Sequence, residues 1–298
     1  MTSARIAVLG GAGMLGHKMF QMLRQSFAGA FCTMRGDAHL PPLNRVELLQ
    51  GECVIPSVDV MDFAALEKTL AALQPEFVIN CVGVIKQRAE AASPIPSITI
   101  NSLLPHKLAQ MVSRWGGRVI HFSTDCVFSG RRGGYTEEDP SDAEDLYGKS
   151  KFLGEVGAAN ALTLRTSIIG RELDRHLGLL DWFLSQNHQT IRGYRRVIYS
   201  GVTTNHLAEL VGSIIRNHPG LNGLYEVAAE PISKYDLLCR LREVFRLDVR
   251  IDPDDREVSD RSMRCDKLRD AIGYSCPSWP VLTQQLADDP TPYSKWLQ

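Results

Sequence analysis

The sequence predicts an α/β protein with a doubly wound, Rossmann-type parallel sheet and a smaller α/β lobe in its C-terminal part. Three observations favour this fold class. Short apolar runs alternate with amphipathic stretches through about the first 170 residues, as in consecutive βαβ units. A cluster of glycines directly follows the first apolar run. Later in the chain the alternation loosens, and loops rich in Pro, Asp and Gly separate shorter elements.

The spacing of apolar residues gives the elements of the first part. Continuous apolar runs predict buried strands at residues 6–9, 30–34, 77–81, 118–122 and 161–166. Apolar residues three and four apart predict helices at residues 14–26, 63–73, 103–115 and 146–158. Because strand and helix alternate, the strands should run parallel, with helices on both faces of the sheet.

The second part has shorter elements. Strands are predicted at residues 198–200, 224–227 and 249–251, and helices at residues 204–217, 233–245 and 281–287. We expect residues 1–170 to form one domain. Residues 171–298 should form mainly a lobe over the carboxyl ends of the strands, where open α/β sheets bind ligands, with some segments returning to the first domain.

The composition excludes several other classes of protein. The 298 residues are 44% hydrophobic and 22% charged with a net charge of -1, which gives no reason to expect nucleic-acid or membrane binding. No apolar run approaches the roughly 20 residues that span a bilayer. The seven cysteines form no Cys-x-x-Cys pair, so neither a disulfide framework nor a metal site is predicted. The reducing cytoplasm is the expected location.

Three glycines, Gly10, Gly13 and Gly16, lie between the first predicted strand and the first helix, with Met14 and Leu15 in the same turn. A backbone that approaches a pyrophosphate leaves no room for a Cβ, and a helix N-terminus offers free N–H groups to phosphates. The Gly-x-x-Gly-x-x-Gly spacing differs from the Gly-x-Gly-x-x-Gly dehydrogenase fingerprint, and a simple tight turn is the alternative. The position directly after the first strand favours a dinucleotide.

Residues at the ends of later strands indicate which dinucleotide binds. An acidic residue after the second strand suits the ribose of NAD, whereas an arginine suits the 2′-phosphate of NADP. Arg35 occupies that place, so NADPH is predicted, with NADH as the alternative; a solvated surface arginine is the competing interpretation. Asp59 is predicted near the adenine, although it could instead cap the next helix. The remaining contacts predicted after the third and fourth strands are Val60, Cys81, Val82 and Gly83.

Tyr147 and Lys151 lie four residues apart on a predicted helix and therefore share one face. An ammonium close to a phenol favours the phenolate and lowers the tyrosine pKa from its reference of about 10. Such a phenol can exchange a proton with a carbonyl or alcohol oxygen near neutral pH. Ser123 and Thr124, at the end of the fifth strand, can hydrogen-bond the same oxygen. Beside a nicotinamide, these residues predict a carbonyl reductase.

Four stretches carry a family resemblance that extends over nearly the whole chain. They are residues 10–16, 121–130 (HFSTDCVFSG), 147–155 (YGKSKFLGE) and 164–167 (LRTS). They resemble the extended short-chain dehydrogenase/reductases that act on nucleotide-sugars, and within that group most of all the dTDP-4-dehydrorhamnose reductases. The resemblance implies reduction of the 4-keto group of a nucleotide-linked deoxysugar by NADPH.

The resemblance also assigns roles to individual residues. Tyr147 protonates the developing alkoxide, and Thr124 or Ser123 hydrogen-bonds it. Lys151 holds the nicotinamide ribose. The two other implied cofactor-site residues are Asn101, which supports the lysine, and Thr166, which lies near the nicotinamide.

Cys126 departs from the rhamnose reductase pattern, which has a tyrosine there. Sugar-nucleotide 4,6-dehydratases place Asp-Glu after the threonine, so Asp125 followed by Cys126 argues against dehydration. GDP-fucose synthases, which epimerise and reduce, carry a cysteine at this position. Cys126 with Glu172 or His176 could therefore shuttle protons beside the ketone. The other interpretation of Cys126 is a small buried hydrophobe.

A nucleotide-sugar carries a diphosphate, so the second lobe should supply cations. Arginines cluster at residues 192–196 and 261–264, and Arg261 is the predicted diphosphate ligand by its rough match to the family's C-terminal segment. Thr203 is a predicted substrate contact, with capping of the following helix as its competing role. The predicted substrate-binding residues are Asp125, Cys126, Tyr147, Thr203 and Arg261.

Two further consequences of the resemblance concern partners. Some relatives of this reductase family are non-catalytic partners of methionine adenosyltransferase, so an NADP-binding regulatory subunit is an alternative. Such a subunit does not need an intact Ser/Thr, Tyr and Lys set, which this chain retains. The resemblance is compatible with a homodimer.

Overall fold

Seven parallel strands form the central sheet of the computed structural model, which describes residues 2–85, 93–173 and 177–296. Numbered in chain order among the described strands, they are β1 (Thr2–Leu9), β2 (Phe27–Thr33), β3 (Val54–Ile55), β4 (Phe77–Asn80), β5 (Arg118–Ser123), β6 (Ala161–Arg165) and β11 (Gly223–Glu226). Their order across the sheet is β11-β6-β5-β4-β1-β2-β3. The predicted Rossmann-type, doubly wound sheet is confirmed. Its topological switch point lies between β1 and β4, where such folds bind ligands.

Helices cover both faces of this sheet. The described α-helices are α1 (Met14–Ser26), α2 (Phe63–Leu73), α3 (Pro94–Ser97), α4 (Leu104–Val112), α5 (Leu146–Leu153), α6 (Leu179–Leu184), α7 (Thr204–Asn217), α8 (Lys234–Phe245), α9 (Asp266–Ile272), α10 (Trp279–Ala287) and α11 (Tyr293–Trp296). On one face α1 packs against α7, and on the other α2 packs against α4. Each face buries its own apolar cluster, which is the main favourable term in folding.

Short strands of the C-terminal part pair in small sheets beside the central one. These strands are β7 (Ile168–Ile169), β8 (Thr190–Tyr194), β9 (Val197–Tyr199), β10 (Val202–Thr203), β12 (Ile232–Ser233), β13 (Arg250–Asp254) and β14 (Ser259–Asp260). The chain does not stay in this lobe after residue 170. Helix α7 packs on α1, and β11 joins the edge of the central sheet beside β6.

Two helices differ from their predicted bounds. The predicted helix at 146–158 ends at Leu153 with Gly154 as its C-cap, where a Cβ would lie 1.9 Å from the Asn101 carbonyl oxygen. The predicted helix at 103–115 is α4 with a π-helical segment, Ile98–Leu103, before it. Within the described ranges, no helix is both long enough and apolar enough to cross a membrane.

Candidate active site

The glycine turn between β1 and α1 holds two backbone segments close together. Gly10 has a φ of 82°, in the left-handed region where a Cβ is strained. A Cβ on Gly16 would lie 2.0 Å from the Gly10 carbonyl oxygen, so the last glycine of the motif cannot be replaced without moving the turn. The Thr33 carbonyl at the end of β2 accepts hydrogen bonds from the N–H groups of Gly10 and Gly11 at 3.1 and 2.8 Å. The turn is thereby fixed to the carboxyl edge of the sheet.

The first turn of α1 fits a phosphate group. The helix begins at Met14 with Gly13 as its N-cap, and no side chain caps it. Within 4 Å, a Cβ on Gly13 would meet only the Gly10 carbonyl oxygen among the described atoms, at 3.4 Å. Leu15 is buried in the core, whereas Met14 is half-buried at the turn. Free N–H groups at an open helix N-terminus attract anions, so these residues suit the pyrophosphate of a dinucleotide.

The sequence did not predict that the C-terminal segment of the chain contacts the first turns of α1. His17 Nδ1 lies 2.9 Å from the Gly13 carbonyl oxygen, and His17 Nε2 lies 2.8 Å from the Tyr293 hydroxyl. Lys18 Nζ forms a buried ion pair with Asp289 at 2.6 Å. The C-terminal segment thus braces the turn that precedes α1. No sequence periodicity indicates such contacts, since His17 and Tyr293 are 276 positions apart.

Arg35 lies two residues beyond β2, at the same sheet edge as the glycine turn. Its side chain is exposed, and no hydrogen bond or ion pair holds it within the described part of the chain. The nearby Asp37 carboxylate is occupied by the His39 N–H at 2.8 Å. Arg35 is therefore available to a ligand phosphate, and its predicted role in holding the 2′-phosphate stays a prediction.

Replacing Arg35 by alanine should weaken NADPH binding roughly 10- to 100-fold, the size of a lost charge-assisted hydrogen bond. NADH affinity should not change, because NADH lacks the 2′-phosphate. Equilibrium titration of nicotinamide fluorescence measures both constants, with Arg45→Ala as the control at another exposed arginine. Equal losses for the two nucleotides would contradict the assignment.

At the end of the third strand region, the structure corrects the alternative that Asp59 caps the next helix. Helix α2 is capped by Asp62, whose Oδ1 accepts from the Ala65 N–H at 3.0 Å. Asp59 is exposed and accepts only from the Met61 N–H, at 2.9 Å, among the hydrogen bonds of its described side chain. Asp59 therefore does not cap α2, and its predicted contact with adenine stays open, as does that of the buried Val60.

Two asparagines shape the loop after β4, in which Cys81, Val82 and Gly83 are half-buried. Asn80 Oδ1 accepts from the Val82 N–H at 3.2 Å. Asn101 bonds both the N–H and the carbonyl oxygen of Val84, at 2.9 and 3.0 Å. It also donates to the Ser150 hydroxyl at 3.2 Å. Asn101 therefore connects this loop to α5 at the residue before Lys151, from a π-helical segment of the kind often found at functional sites.

Tyr147 and Thr124 lie together at the carboxyl end of β5. The Thr124 side chain interacts with the Tyr147 phenol and opposes the effect of burial on the phenol pKa. Thr124 Oγ1 also donates to Asp125 Oδ1 at 3.1 Å and accepts from the Cys126 N–H at 3.2 Å. Helix α5 docks tightly here, since a Cβ on Gly148 would lie 2.2 Å from the Cys126 carbonyl oxygen. The side chains of the pair are positioned to hydrogen-bond one substrate oxygen.

Lys151 lies four residues after Tyr147 on α5 and is almost fully buried. Its Nζ donates to the Phe122 carbonyl oxygen at 2.6 Å and lies 3.4 Å from His121 Nε2. Burial lowers the pKa of Lys151 to about 8, and the charge of Glu155 opposes this shift. His121 begins the 121–130 stretch that carries the family resemblance, but its contact with Lys151 was not predicted.

The structure corrects the expected direction of the Tyr147 pKa. Burial raises the pKa of the phenol well above its usual range, and the neighbouring Cys126 and Asp125 add to this, although the Thr124 hydrogen bond opposes it. The Lys151 ammonium is turned towards the Phe122 carbonyl oxygen. The cost of desolvating a phenolate therefore outweighs the expected effect of the lysine.

Ser123 points away from Tyr147 into a buried ionic network. Its hydroxyl donates to Glu155 Oε1 at 2.6 Å. Arg165 contacts both oxygens of Glu155, at 2.8 and 2.7 Å, and Glu226 Oε1 at 2.6 Å. Ser123, Arg165 and Glu226 are paired in register on β5, β6 and β11, so their side chains share one face of the sheet. Of the two predicted hydroxyls, Thr124 is the one at Tyr147.

The predicted substrate-side residues are placed unequally. Asp125 is buried. Cys126 is half-buried beside Tyr147, and Arg261 is half-buried beside the loop that follows β5. Arg261 Nε donates to the Phe128 carbonyl oxygen at 2.9 Å. Thr203 is fully buried and caps α7 by accepting from the His206 N–H at 3.1 Å, which is its competing role.

Thr166 and the partners considered for Cys126 have other contacts. The Thr166 hydroxyl donates to the Val227 carbonyl oxygen at 2.8 Å, which ties the end of β6 to the segment after β11. Glu172 accepts from the Gly178 N–H at 2.7 Å. His176 lies outside the described residues. Burial raises the pKa of the Cys126 thiol to about 12, and the Asp125 charge adds to this, so the thiol stays neutral.

Several predicted cations are already paired. Arg195 forms an ion pair with Asp255, and Arg264 one with Asp266 at 2.6 Å, both on the exposed surface. Lys234, at the start of α8, was not singled out in the sequence. Its Nζ lies 3.8 Å from the centroid of the Tyr199 ring. Within the described ranges, no group of three or more His, Cys, Asp or Glu side chains could hold a metal ion.

The fold and this site together define a Rossmann-type nucleotide-binding protein of the short-chain dehydrogenase/reductase kind. The family model described as "RmlD substrate binding domain" matches residues 4–286, so the chain belongs to this family. The resemblance drawn from the sequence is confirmed at this level.

Relatives of two kinds are found. The chain is 24% identical over 268 residues to methionine adenosyltransferase 2 subunit beta of Rattus norvegicus, covering 82% of this chain and 73% of that protein. A stretch of 107 residues is 32% identical to dTDP-4-dehydrorhamnose reductase of Burkholderia thailandensis, covering 34% of this chain and 36% of that protein. The crystal structure of a dTDP-4-dehydrorhamnose reductase from Bacillus anthracis in complex with NADP superimposes with a TM-score of 0.77 at 18% identity, covering 95% of this chain and 98% of that one. At that identity the superposition shows the shared fold alone.

Proposed function

We propose that the protein reduces the 4-keto group of a nucleotide-linked deoxysugar with NADPH, with NADH as the alternative cofactor. The observation that carries this proposal is the placement of Thr124, Tyr147 and the buried Lys151 at the carboxyl end of β5, the sheet edge that also bears the open glycine turn. Membership of the RmlD family and the NADP-bound reductase of the same fold support the nucleotide-sugar and the cofactor.

The chain's own residues account for the proton and the oxygen. When bound, the nicotinamide cofactor supplies hydride to the carbonyl carbon. Because burial keeps the Tyr147 phenol protonated at neutral pH, its Oη proton is available to the substrate oxygen. Thr124, whose hydroxyl donates to Asp125 Oδ1 in the structure, would turn its proton to the same oxygen when substrate binds. Lys151, with a pKa of about 8, is proposed to hold the nicotinamide ribose, because its ammonium donates to the Phe122 carbonyl oxygen rather than to the phenol.

Epimerisation through Cys126 gains no support from the geometry. A thiol whose pKa burial raises to about 12 is a poor proton shuttle at neutral pH. Glu172, one of its considered partners, is engaged with the Gly178 N–H. The small buried hydrophobe is the interpretation of Cys126 that we retain.

A non-catalytic subunit is the second candidate, because the chain is similar to the methionine adenosyltransferase subunit over 82% of its length. A purely regulatory protein gains nothing from a threonine, a tyrosine and a buried lysine placed together. The retained constellation therefore favours the enzyme.

The test is NADPH oxidation by the purified protein with a panel of nucleotide-linked 4-keto-6-deoxysugars, with NADH in parallel. We expect turnover with at least one of them, and the preferred base and sugar will identify the substrate. Tight NADPH binding with no turnover on the whole panel would instead favour the non-catalytic subunit.

A further inference from the structure

We propose that Lys234 is a substrate-binding residue whose ammonium binds an anionic oxygen of the nucleotide-sugar beside the reacting ketone. This inference rests on the proposed function, because it names a further contact in the same site. The anionic oxygen belongs either to the diphosphate or to a carboxylate on the sugar.

The first argument is position. Lys234 is the first residue of α8, and the antiparallel pairing of β12 with β9 brings Ser233 opposite Ile198. The ammonium lies over the ring of Tyr199, 3.8 Å from its centroid. Tyr199 is itself fixed against Trp279, with ring centroids 5.7 Å apart. The lysine is thus held on a rigid surface of the C-terminal lobe.

The second argument is that Lys234 and Tyr147 share a charged neighbour. The Asp125 charge acts on Lys234 and also on the Tyr147 phenol. The loop after β5 therefore has the proposed proton donor on one helix and Lys234 on another helix beside it. A ligand bound to Tyr147 and Thr124 would extend past this lysine.

The third argument is that no described side chain forms an ion pair with the ammonium, although the Asp125 charge acts on it. No carboxylate lies within ion-pair distance of Lys234 Nζ in the part of the chain that the structure describes. The α8 N-terminus is unfavourable for a cation, and burial lowers the pKa of Lys234 to about 8 despite the Asp125 charge. A cation kept in such surroundings is explained by an anion that arrives with the ligand.

The helix itself does not need this lysine. Ser233 caps α8 by accepting from the Asp236 N–H at 3.0 Å, and its hydroxyl donates to the Asp236 carboxylate at 2.6 Å. The first turn is therefore stabilised without Lys234. A neutral side chain at this position should leave the fold intact.

The experiment compares Lys234→Met with Lys234→Arg, which keeps the charge. The matched control is Lys267→Met, an exposed lysine whose Nζ lies 5.1 Å from the centroid of the Tyr225 ring. Calorimetry on NADPH-saturated protein measures the affinity for UDP, dTDP, the neutral-sugar nucleotides of the panel and a nucleotide-linked uronic acid. Steady-state kinetics on any ketosugar that is turned over separates KM from kcat.

We expect Lys234→Met to weaken nucleotide-sugar binding and raise KM by roughly 10- to 100-fold, with kcat and NADPH affinity unchanged. Lys234→Arg should restore most of the affinity. Equal losses for free nucleoside diphosphates would assign the contact to the diphosphate, and a loss confined to the uronic acid would assign it to a sugar carboxylate. Unchanged affinity for every ligand, or a loss equalled by Lys267→Met, would overturn the inference.

The two proposals fail in different ways. A wild-type protein that binds nucleotide-sugars tightly but reduces none contradicts the proposed reaction, while the binding arm still tests Lys234. A wild-type protein that binds no nucleotide-sugar at all overturns both. Normal turnover with an unaffected KM in Lys234→Met overturns the inference about the lysine alone.

Discussion

Tyr147→Phe should lower kcat for ketone reduction about 10²- to 10⁴-fold, the range for loss of a positioned general acid. The variant keeps the aromatic ring at the end of β5. It lacks the phenolic proton that, in the proposed mechanism, Tyr147 donates to the substrate oxygen. Thr124 remains but, as an unactivated hydroxyl, does not replace the proton donor. NADPH affinity should not change, because the phenol is not needed at the glycine turn. Single-turnover absorbance at 340 nm measures the rate, and fluorescence titration measures the affinity.

Tyr194→Phe is the matched control for this prediction, because it removes an exposed hydroxyl from the lobe. It should behave as wild type. Turnover by Tyr147→Phe at the wild-type rate would contradict the proposed mechanism. Loss of both NADPH binding and activity would show that Tyr147 maintains the structure of the site rather than donating the proton.

Arg165→Met should destabilise the protein by about 3–5 kcal/mol, the typical effect of breaking a buried ion pair by removing one partner. Arg165 is 2% exposed and lies between Glu155 and Glu226, which it contacts at 2.6–2.8 Å. Methionine fills similar space but leaves both carboxylates buried without a cation. Burial already raises the pKa of Glu226 to about 8 with the arginine present. Urea unfolding followed by circular dichroism measures the free energy of unfolding.

Adding Glu226→Gln to Arg165→Met should recover part of the lost stability, since it removes one of the uncompensated charges. Arg195→Met is the control for an arginine–aspartate pair on the exposed surface, and its unfolding curve should be close to wild type. An Arg165→Met midpoint equal to that of this control would contradict the account of the network.

The fold could be predicted from sequence because burial on both faces of a parallel sheet leaves a local signal. The apolar runs of β1, β4 and β5, and the helical spacing of α1 and α7, are each contained in one short segment. In the lobe, β9 and β13 were predicted from their apolar residues, whereas the two-residue strands β7, β10, β12 and β14 are too short to show a pattern.

The arrangement of the candidate site could be predicted only for residues that are close to one another in the sequence. Tyr147 and Lys151 share a helix face, which their spacing alone reveals. The choice between Ser123 and Thr124 depends on the register of β5 against β6, and this long-range pairing was not visible. The direction of the Tyr147 pKa depends on burial by other elements, and Lys234 reaches the site from a distant helix.

The pairing of β6 with β11 also bears on how the chain folds. Arg165 pairs with Glu226, which lies 61 positions later in the chain. The last strand of the sheet can therefore join β6 only after a long loop has closed. Until then the β6 edge lacks its partner strand, and the Arg165 guanidinium lacks Glu226, one of its two carboxylate partners. An open strand edge is where chains associate wrongly, so a fragment that stops near residue 170 should be prone to aggregation. We therefore expect the first domain and the lobe to fold as one cooperative unit.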